Sequence, residues 1–101
     1  MIAGRDRDAW QRAVCGSALP ASSRLVAHTI AVYAGPGGMQ GVWLSSSDIA
    51  RATGLKSLST VNLYLRRLMD EGWLRKYDGA WFLGWPGELP AAGAAAAAAA
   101  R

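Results

Sequence analysis

The dipeptide Asp78-Gly79 lies between two short apolar-rich segments, residues 73–77 and 80–84. A two-residue hairpin turn of type I′ needs positive φ at both of its positions, and aspartate and glycine tolerate that conformation better than most residues do. Asp-Gly between strand-like segments is therefore a strong short-range signal for a β-hairpin. It predicts that this chain contains antiparallel β-structure.

A turn of two residues also fixes which residues of the two strands lie opposite each other. It pairs Leu74 with Leu83 and Lys76 with Trp81, and it pairs the remaining positions as 73 with 84, 75 with 82 and 77 with 80. Because opposed side chains share a face, we expect Leu74 and Leu83 to point into the core together. The same register predicts that the Lys76 ammonium lies over the Trp81 ring, where a cation–π contact is favourable.

Helical patterns of apolar residues precede the hairpin. They span residues 6–16, 21–34, 46–53 and 59–71. Ser45 and Asp48 predict a capping box at the start of the third pattern. Gly54 ends it, as is typical where the backbone turns left-handed. The apolar residues 42–44 are enough for one short strand only.

The pattern over residues 59–71 is amphipathic. Val61, Leu65 and Leu68 recur at i, i+4 and i+7, with Tyr64 beside them, which predicts one buried stripe. The polar and basic residues between them are expected to face outward.

Tryptophan is the informative excess in this composition, with five tryptophans against one phenylalanine. Indole rings bury a large apolar area. We therefore interpret Trp43, Trp73 and Trp81 as core anchors rather than as platforms on which bases stack.

The chain is mildly basic. Its 101 residues carry a formal net charge of +4, which permits an acidic partner such as nucleic acid without requiring one. No acidic residue occurs between Asp48 and Asp70. The basic residues of that interval are Arg51, Lys56, Arg66 and Arg67.

Several function classes find no support. Cys15 is the only cysteine and His28 the only histidine, so an intramolecular disulfide is impossible and a zinc site is not expected. We interpret Cys15 as a small apolar residue of the first helix and His28 as a partly exposed helical residue. With no visible catalytic arrangement, the sequence predicts no enzymatic activity, no metal and no cofactor. It also shows neither a signal peptide nor a membrane span, so a cytoplasmic location is expected.

The order of elements is helix, helix, short strand, helix, glycine turn, helix and hairpin. Residues 45–83 resemble the winged helix-turn-helix of bacterial regulators such as the GntR and MarR families. The segments that carry the resemblance are DIA (48–50), TGL (53–55), TV (60–61), LRRL (65–68) and EGWL (71–74), followed by the hairpin. Upstream, residues 19–38 are similar to helix-turn-helix modules of phage and plasmid replication or regulatory proteins.

The resemblance implies an α+β fold: a winged helix-turn-helix with a three-helix core, a short N-terminal helix, a short strand and a two-stranded β-hairpin wing. In this division residues 1–18 are an N-terminal helical extension. Residues 19–86 are the winged helix-turn-helix domain, and residues 87–101 are a flexible alanine-rich tail.

The function implied by the resemblance is sequence-specific binding of double-stranded DNA, with residues 59–71 as the recognition helix. A small, nucleoid-associated transcriptional regulator is the simplest role, and a DNA-organising factor in plasmid or phage replication, partition or recombination is the alternative. A module of this size binds weakly alone, so a homodimer or several copies on repeated sites are expected. The helices over residues 6–16 and 21–34 are the expected dimer elements, and no small-molecule effector domain is expected.

The outward side of the recognition helix and its flanks supply the candidate DNA contacts. Asn62 suits an adenine edge, and Arg66 or Arg67 suits guanine or a phosphate. The residues that flank the groove suit phosphate contacts, and those of the hairpin suit the adjacent backbone or minor groove. The full predicted set is Arg51, Lys56, Ser57, Ser59, Thr60, Asn62, Leu63, Arg66, Arg67, Arg75, Lys76 and Gly79.

Other interpretations of these residues stay open at this point. Arg66 and Arg67 are equally suited to solvent or to pairing with Asp70 and Glu71 one turn later. Leu63 fits a thymine methyl contact, a dimer contact or a place at the core margin. Winged helices also serve as protein-interaction modules.

The turn before the recognition helix departs from the usual spacing. Gly54 and Thr60 are six residues apart, one more than in the commonest form of the motif. A longer turn over residues 56–59 is expected, which leaves the first base-contacting position open.

Overall fold

The structure is a computed structural model that describes residues 6–37 and 40–87. Within those ranges helices precede a two-stranded antiparallel hairpin, which confirms the α+β class. The helices are α1 (Arg7–Cys15), α2 (Ala21–Val32), α3 (Ser46–Thr53) and α4 (Leu58–Asp70), and the strands are β1 (Leu74–Tyr77) and β2 (Ala80–Leu83). The expected alanine-rich tail lies outside the described residues from residue 88 onward.

The hairpin has the predicted turn and the predicted register. Asp78 has φ 53° and Gly79 has φ 85°, the two positive values that a type I′ turn requires. The strand pairs are Leu74 with Leu83, Arg75 with Phe82, Lys76 with Trp81 and Tyr77 with Ala80. The amide of Gly84 donates a hydrogen bond to the carbonyl oxygen of Trp73 at 2.8 Å, which confirms the remaining pair.

The two contacts expected inside the hairpin are present. Leu74 is buried, and Leu83 is partly buried against the core. The Lys76 ammonium lies 4.8 Å from the centroid of the Trp81 ring.

Residues 42–44 lie beside β2, but the expected short strand is reduced to a single bridge. Val42 exchanges two backbone hydrogen bonds with Trp81, at 2.8 and 2.9 Å. The Trp81 indole N–H donates to the Leu44 carbonyl oxygen at 3.3 Å. The hairpin therefore has a third segment along its β2 edge.

The first helix is part of the core. Its buried residues are Trp10 and Val14. The Trp10 ring meets the Trp73 ring edge to face, with centroids 6.2 Å apart. Its indole N–H donates to the carbonyl oxygens of Gly84, at 2.7 Å, and Trp73, at 3.2 Å. This helix closes over the base of the hairpin, the end away from the turn.

The remaining core forms around α2, which packs against α1, α3 and α4. The predicted stripe of α4 is confirmed, because Val61, Leu65 and Leu68 are buried and Tyr64 is partly buried against them. Ile49 on α3 completes this contact.

One interpretation of a single residue was wrong. Trp43 is 70% exposed, so it is not a core anchor, whereas Trp73 and Trp81 are buried. Residues on a short extended segment face alternate sides, and with Val42 turned inward the next side chain points outward. Cys15 lies in the first helix, as expected, and is exposed. The buried stripe of α1 passes through Trp10 and Val14.

The last helix begins one residue earlier than predicted, at Leu58 rather than at position 59. Ser57 is its N-cap, and the Ser57 hydroxyl accepts a hydrogen bond from the Thr60 amide at 3.3 Å. At 13 residues this is the longest helix in the described ranges. None of the described helices is long and apolar enough to cross a membrane.

Candidate functional site

The segment from α3 to α4 is fixed at both of its helix ends. Ser45 and Asp48 form the predicted capping box at the start of α3. Gly54 ends α3 in the left-handed conformation, with φ 80° and its amide bonded to the Ala50 carbonyl oxygen. The longer interval between Gly54 and Thr60 is taken up because Thr60 lies inside the first turn of α4.

One side of α4 is exposed along its whole length. Opposite the buried stripe lie Ser59, Asn62, Leu63 and Arg66, all exposed. Leu63 is 64% exposed, so the structure removes the interpretation that it lies at the core margin. The side chains of this face carry hydroxyl, amide, aliphatic and guanidinium groups, which together can meet donors, acceptors and methyl groups on a partner.

Most of the predicted site residues are exposed. Thr60 and Arg75 are half-buried. The exposed ones are Arg51, Lys56, Ser57, Ser59, Asn62, Leu63, Arg66, Arg67, Lys76 and Gly79.

A side-chain contact ties the exposed face of α4 to the start of α3. The Ser46 hydroxyl donates a hydrogen bond to the Asn62 side-chain oxygen. Asn62 is therefore held at its oxygen, while its amide N–H groups have no hydrogen-bond partner among the described residues. Sequence reasoning missed Ser46, because contacts between helices leave no mark in periodicity.

The basic residues around α4 fall into two groups. Arg51 lies 3.6 Å from the Asp48 carboxylate, and Arg67 lies 3.0 Å from the Glu71 carboxylate. The Arg67 pair confirms the alternative of pairing one helical turn later. For Lys56 and Arg66, no carboxylate lies within ion-pair distance in the described part of the chain.

Asp48 is held in its charged form by the start of α3. The Ser45 amide donates to its carboxylate at 3.0 Å. This hydrogen bond is the main cause that lowers the pKa of Asp48, followed by the Ser45 side chain and then by the charge of Arg51. A carboxylate committed to a helix cap is only a partial counter-ion for Arg51.

A cleft of about 470 Å³ lies between the start of α2 and the second half of α4. Its lining includes Ser23, Leu63, Arg66 and Asp70. The Ser23 hydroxyl oxygen is buried without a hydrogen-bond partner among the described residues. Because acidic and basic side chains both line the cleft, it favours neither an anion nor a cation.

The basic residues of the hairpin point in different directions. Lys76 lies near the turn, over the Trp81 ring. Arg75 is turned toward the base of the hairpin, where its Nε lies 3.1 Å from the position of a Cβ on Gly84. The structure thus brings one of these two cations toward the turn and the other away from it.

Beside that turn lies Trp43, a residue that was not among the predicted site residues. A Cβ placed on Gly79 would lie 3.4 Å from Cζ3 of the Trp43 ring. The alternation of apolar residues over positions 42–44 is the signal that could have identified Trp43 as a surface residue.

No three His, Cys, Asp or Glu side chains come together as a metal site anywhere in residues 6–37 and 40–87. The Cys15 sulfur lies 3.5 Å from Nε2 of His28. Burial, and then the charge of Arg24, lower the pKa of His28.

No family model, no curated protein and no solved structure matches this chain. The function of this chain is therefore inferred from the chemistry and geometry of its own residues.

Proposed function

We propose that this chain is a winged helix-turn-helix protein that binds double-stranded DNA sequence-specifically, most simply as a small transcriptional regulator. The observation that carries the proposal is α4 itself, whose exposed polar face lies opposite a buried stripe and directly follows the turn at Gly54. Such a pair of helices presents its second helix outward, as groove recognition requires.

The dimensions and side chains of α4 suit a major groove. Its 13 residues extend over about 20 Å at 1.5 Å per residue, and the major groove of B-DNA is wide enough to admit a helix. On the exposed face, Asn62 offers amide N–H groups for an adenine edge and Arg66 offers a guanidinium for guanine. Leu63 offers an apolar surface for a thymine methyl group.

The hairpin supports the winged form of this arrangement. It begins four residues after α4 ends, and Val42 from the segment before α3 bridges its second strand. The order short segment, helix, helix, hairpin is that of a winged helix-turn-helix.

The ion pairs indicate which basic residues are best suited to contact phosphates. Lys56 and Arg66 have no acidic partner within the described ranges, so a phosphate would be their first counter-ion. Arg51 and Arg67 would have to exchange a carboxylate for a phosphate. Each such exchange would therefore add less to the binding free energy than a phosphate contact of Lys56 or Arg66.

A homodimer, or several copies on repeated sites, belongs to the proposal because one small module buries little DNA. On α1, Trp10 and Val14 are buried in the core of their own chain and are not accessible to a partner. On α2, Leu25 and Val32 are exposed, and so is Tyr33, the residue that caps its C-terminus. We therefore assign the dimer contact to α2 rather than to α1. A nucleoid-associated location follows from DNA binding.

A DNA-organising factor would need the same groove contacts and is retained as the alternative role. A protein-interaction module is favoured by a different observation, namely the exposed aliphatic residues Leu58 and Leu63 on α4. Apolar side chains on an exposed helix face are typical of helix-in-groove contacts between proteins.

A salt-titrated gel shift with genomic DNA fragments tests the proposal. We expect some fragments to be retained in preference to others. We also expect the logarithm of the binding constant to fall linearly with the logarithm of the salt concentration. Absence of retention even at low salt would reject DNA binding. A co-purifying protein partner lost on replacing Leu63 with a charged residue would then favour the interaction module.

A further inference from the structure

The most exposed large hydrophobic side chain in the described ranges is Trp43, at 70%. An indole is the largest apolar side chain and is enriched where proteins meet partners. Scattered exposed leucines need no explanation, but a tryptophan that leaves most of its surface in water beside a proposed interface does.

The position of the ring is fixed by the hairpin turn. Val42 is bridged to Trp81 and faces inward, so Trp43 faces the opposite side of the same short segment. The six-membered ring lies against Gly79, where a side chain would come within 3.4 Å of Cζ3. The glycine leaves the ring and the turn on one continuous surface.

The segment that carries the ring leads into the start of α3, which contacts the exposed face of α4. Ser46 follows Trp43 by three positions, and its hydroxyl bonds to Asn62 on α4. The backbone thus links the indole beside Gly79 to the start of α3, and a side-chain hydrogen bond links the start of α3 to the outward side of α4.

Charge at the turn does not provide the hairpin with a strong phosphate contact. Arg75 is turned to the base of the hairpin, next to Gly84, and the turn itself carries the acidic Asp78. Only Lys76 remains near the turn. The indole instead offers an uncharged apolar face, which suits sugars and bases rather than phosphates.

We propose that Trp43 is the residue through which the hairpin side of this protein contacts DNA. The indole packs against deoxyribose and base edges in the groove next to the one that α4 enters. This inference depends on the proposed function, because it needs a duplex already held by α4.

Affinity and its salt dependence test the assignment together. Trp43→Ala is expected to weaken binding of a duplex that the unmodified protein retains by roughly fivefold, the low end of the range for loss of an aromatic contact with a base, because sugar and base edges cover less of the ring than a stacked base does. The salt slope is expected to stay the same, because no phosphate contact is lost. Trp43→Phe, which keeps an aromatic ring at the same exposed position, is the matched control and is expected to lose less affinity than Trp43→Ala.

Fluorescence gives a second readout on the same complex. Trp10, Trp73 and Trp81 are buried and Trp85 is half-buried, so acrylamide should quench Trp43 most strongly in the free protein. Duplex DNA is expected to protect the quenchable fraction in the unmodified protein and to have little effect in Trp43→Phe. This second variant keeps an aromatic ring and guards against loss of fold, which circular dichroism checks.

The outcomes separate the two proposals. If the duplex is retained but Trp43→Ala binds equally well and quenching is unchanged by DNA, the assignment of Trp43 is wrong and the proposed function stands. If no duplex is retained, both are wrong. A Trp43→Ala protein that changes its sedimentation rather than its DNA affinity would show that the ring contacts protein, which also overturns the assignment.

Discussion

The indole N–H of Trp10 donates a hydrogen bond to the carbonyl oxygen of Gly84, 2.7 Å away and 74 residues further along the chain. The same N–H lies 3.2 Å from the carbonyl oxygen of Trp73, whose ring packs edge to face against the Trp10 ring. One side chain therefore joins α1 to both ends of the hairpin base. It is one of the contacts that hold the hairpin against the helices, together with the buried hairpin residues Leu74 and Trp81.

Trp10→Phe should lower the free energy of unfolding by about 1–3 kcal/mol, because an aromatic ring remains but a buried hydrogen-bonded N–H is lost. Trp10→Ala should cost about 3–5 kcal/mol, as is usual for deleting a buried aromatic side chain. Urea unfolding followed by circular dichroism measures both. Trp43→Phe is the matched control, since Trp43 is mostly exposed, and a change as large as that of Trp10→Phe would contradict the assigned role.

Gly54→Ala should destabilise the protein by roughly 1–2 kcal/mol. Its φ of 80° is the cause, because no atom lies within 4 Å of an added Cβ and space is not limiting. Gly37→Ala is the control, since an added Cβ there also meets nothing and no positive φ is involved. Thermal unfolding of both variants checks this prediction. Equal shifts of the two midpoints would show that the left-handed backbone at Gly54 has no cost.

Local patterns predicted the elements of this fold because each depends on residues close in sequence. The Asp78-Gly79 turn, the capping box at Ser45 and the helix end at Gly54 all arise from short-range hydrogen bonds and backbone preferences. The buried stripe of α4 follows from spacing alone, in the same way.

Contacts between residues far apart in sequence could not be predicted from these local patterns. Nothing near Trp10 in sequence indicates that its N–H meets Gly84. The contact between Ser46 and Asn62 likewise depends on how α3 and α4 pack. The prediction that Trp43 is buried was wrong. It followed from the large apolar area of an indole, whereas the alternation of side chains along a short extended segment places Trp43 outside. The candidate site is therefore predictable as a helix face, whereas its hydrogen bonds and its aromatic neighbour are not.

His28 should make stability depend on pH in the mildly acidic range. Burial, and secondly the charge of Arg24, lower its pKa in the folded chain below the ordinary value of 6.5. The unfolded chain then binds more protons, so the contribution is complete above about pH 6.5 and is lost as the pH falls through the lower, folded pKa. Cys15, 3.5 Å away, is the other titratable neighbour. Urea midpoints at about pH 7.5 and about pH 5 should differ less in His28→Gln than in the unmodified protein, and an equal difference would contradict this.

Lys56→Ala should weaken binding to all DNA sequences alike and reduce the salt slope by about one unit, because it removes one phosphate contact. Arg12→Ala is the control. It removes the same charge from an exposed position on α1, which packs against α2 rather than α4, and the slope is expected to stay unchanged. Gel shifts over a range of salt concentrations compare the two slopes. Equal reductions would mean that net charge, and not contact at α4, governs binding.

Asn62→Ala should relax the preference at one base pair by roughly 1–3 kcal/mol, because a bidentate contact with an adenine edge is lost. The hydrogen bond from Ser46 provides the control, since Ser46→Ala removes the partner on α3 but leaves the amide on α4. Selection of binding sites from a random pool should return a motif degenerate at one position for Asn62→Ala and a full motif for Ser46→Ala. If both variants returned the full motif and lost the same stability, Asn62 would serve only to hold α3 against α4. The reading of DNA by this face would then depend on Arg66 and Leu63, which have no such bond to α3 among the described residues.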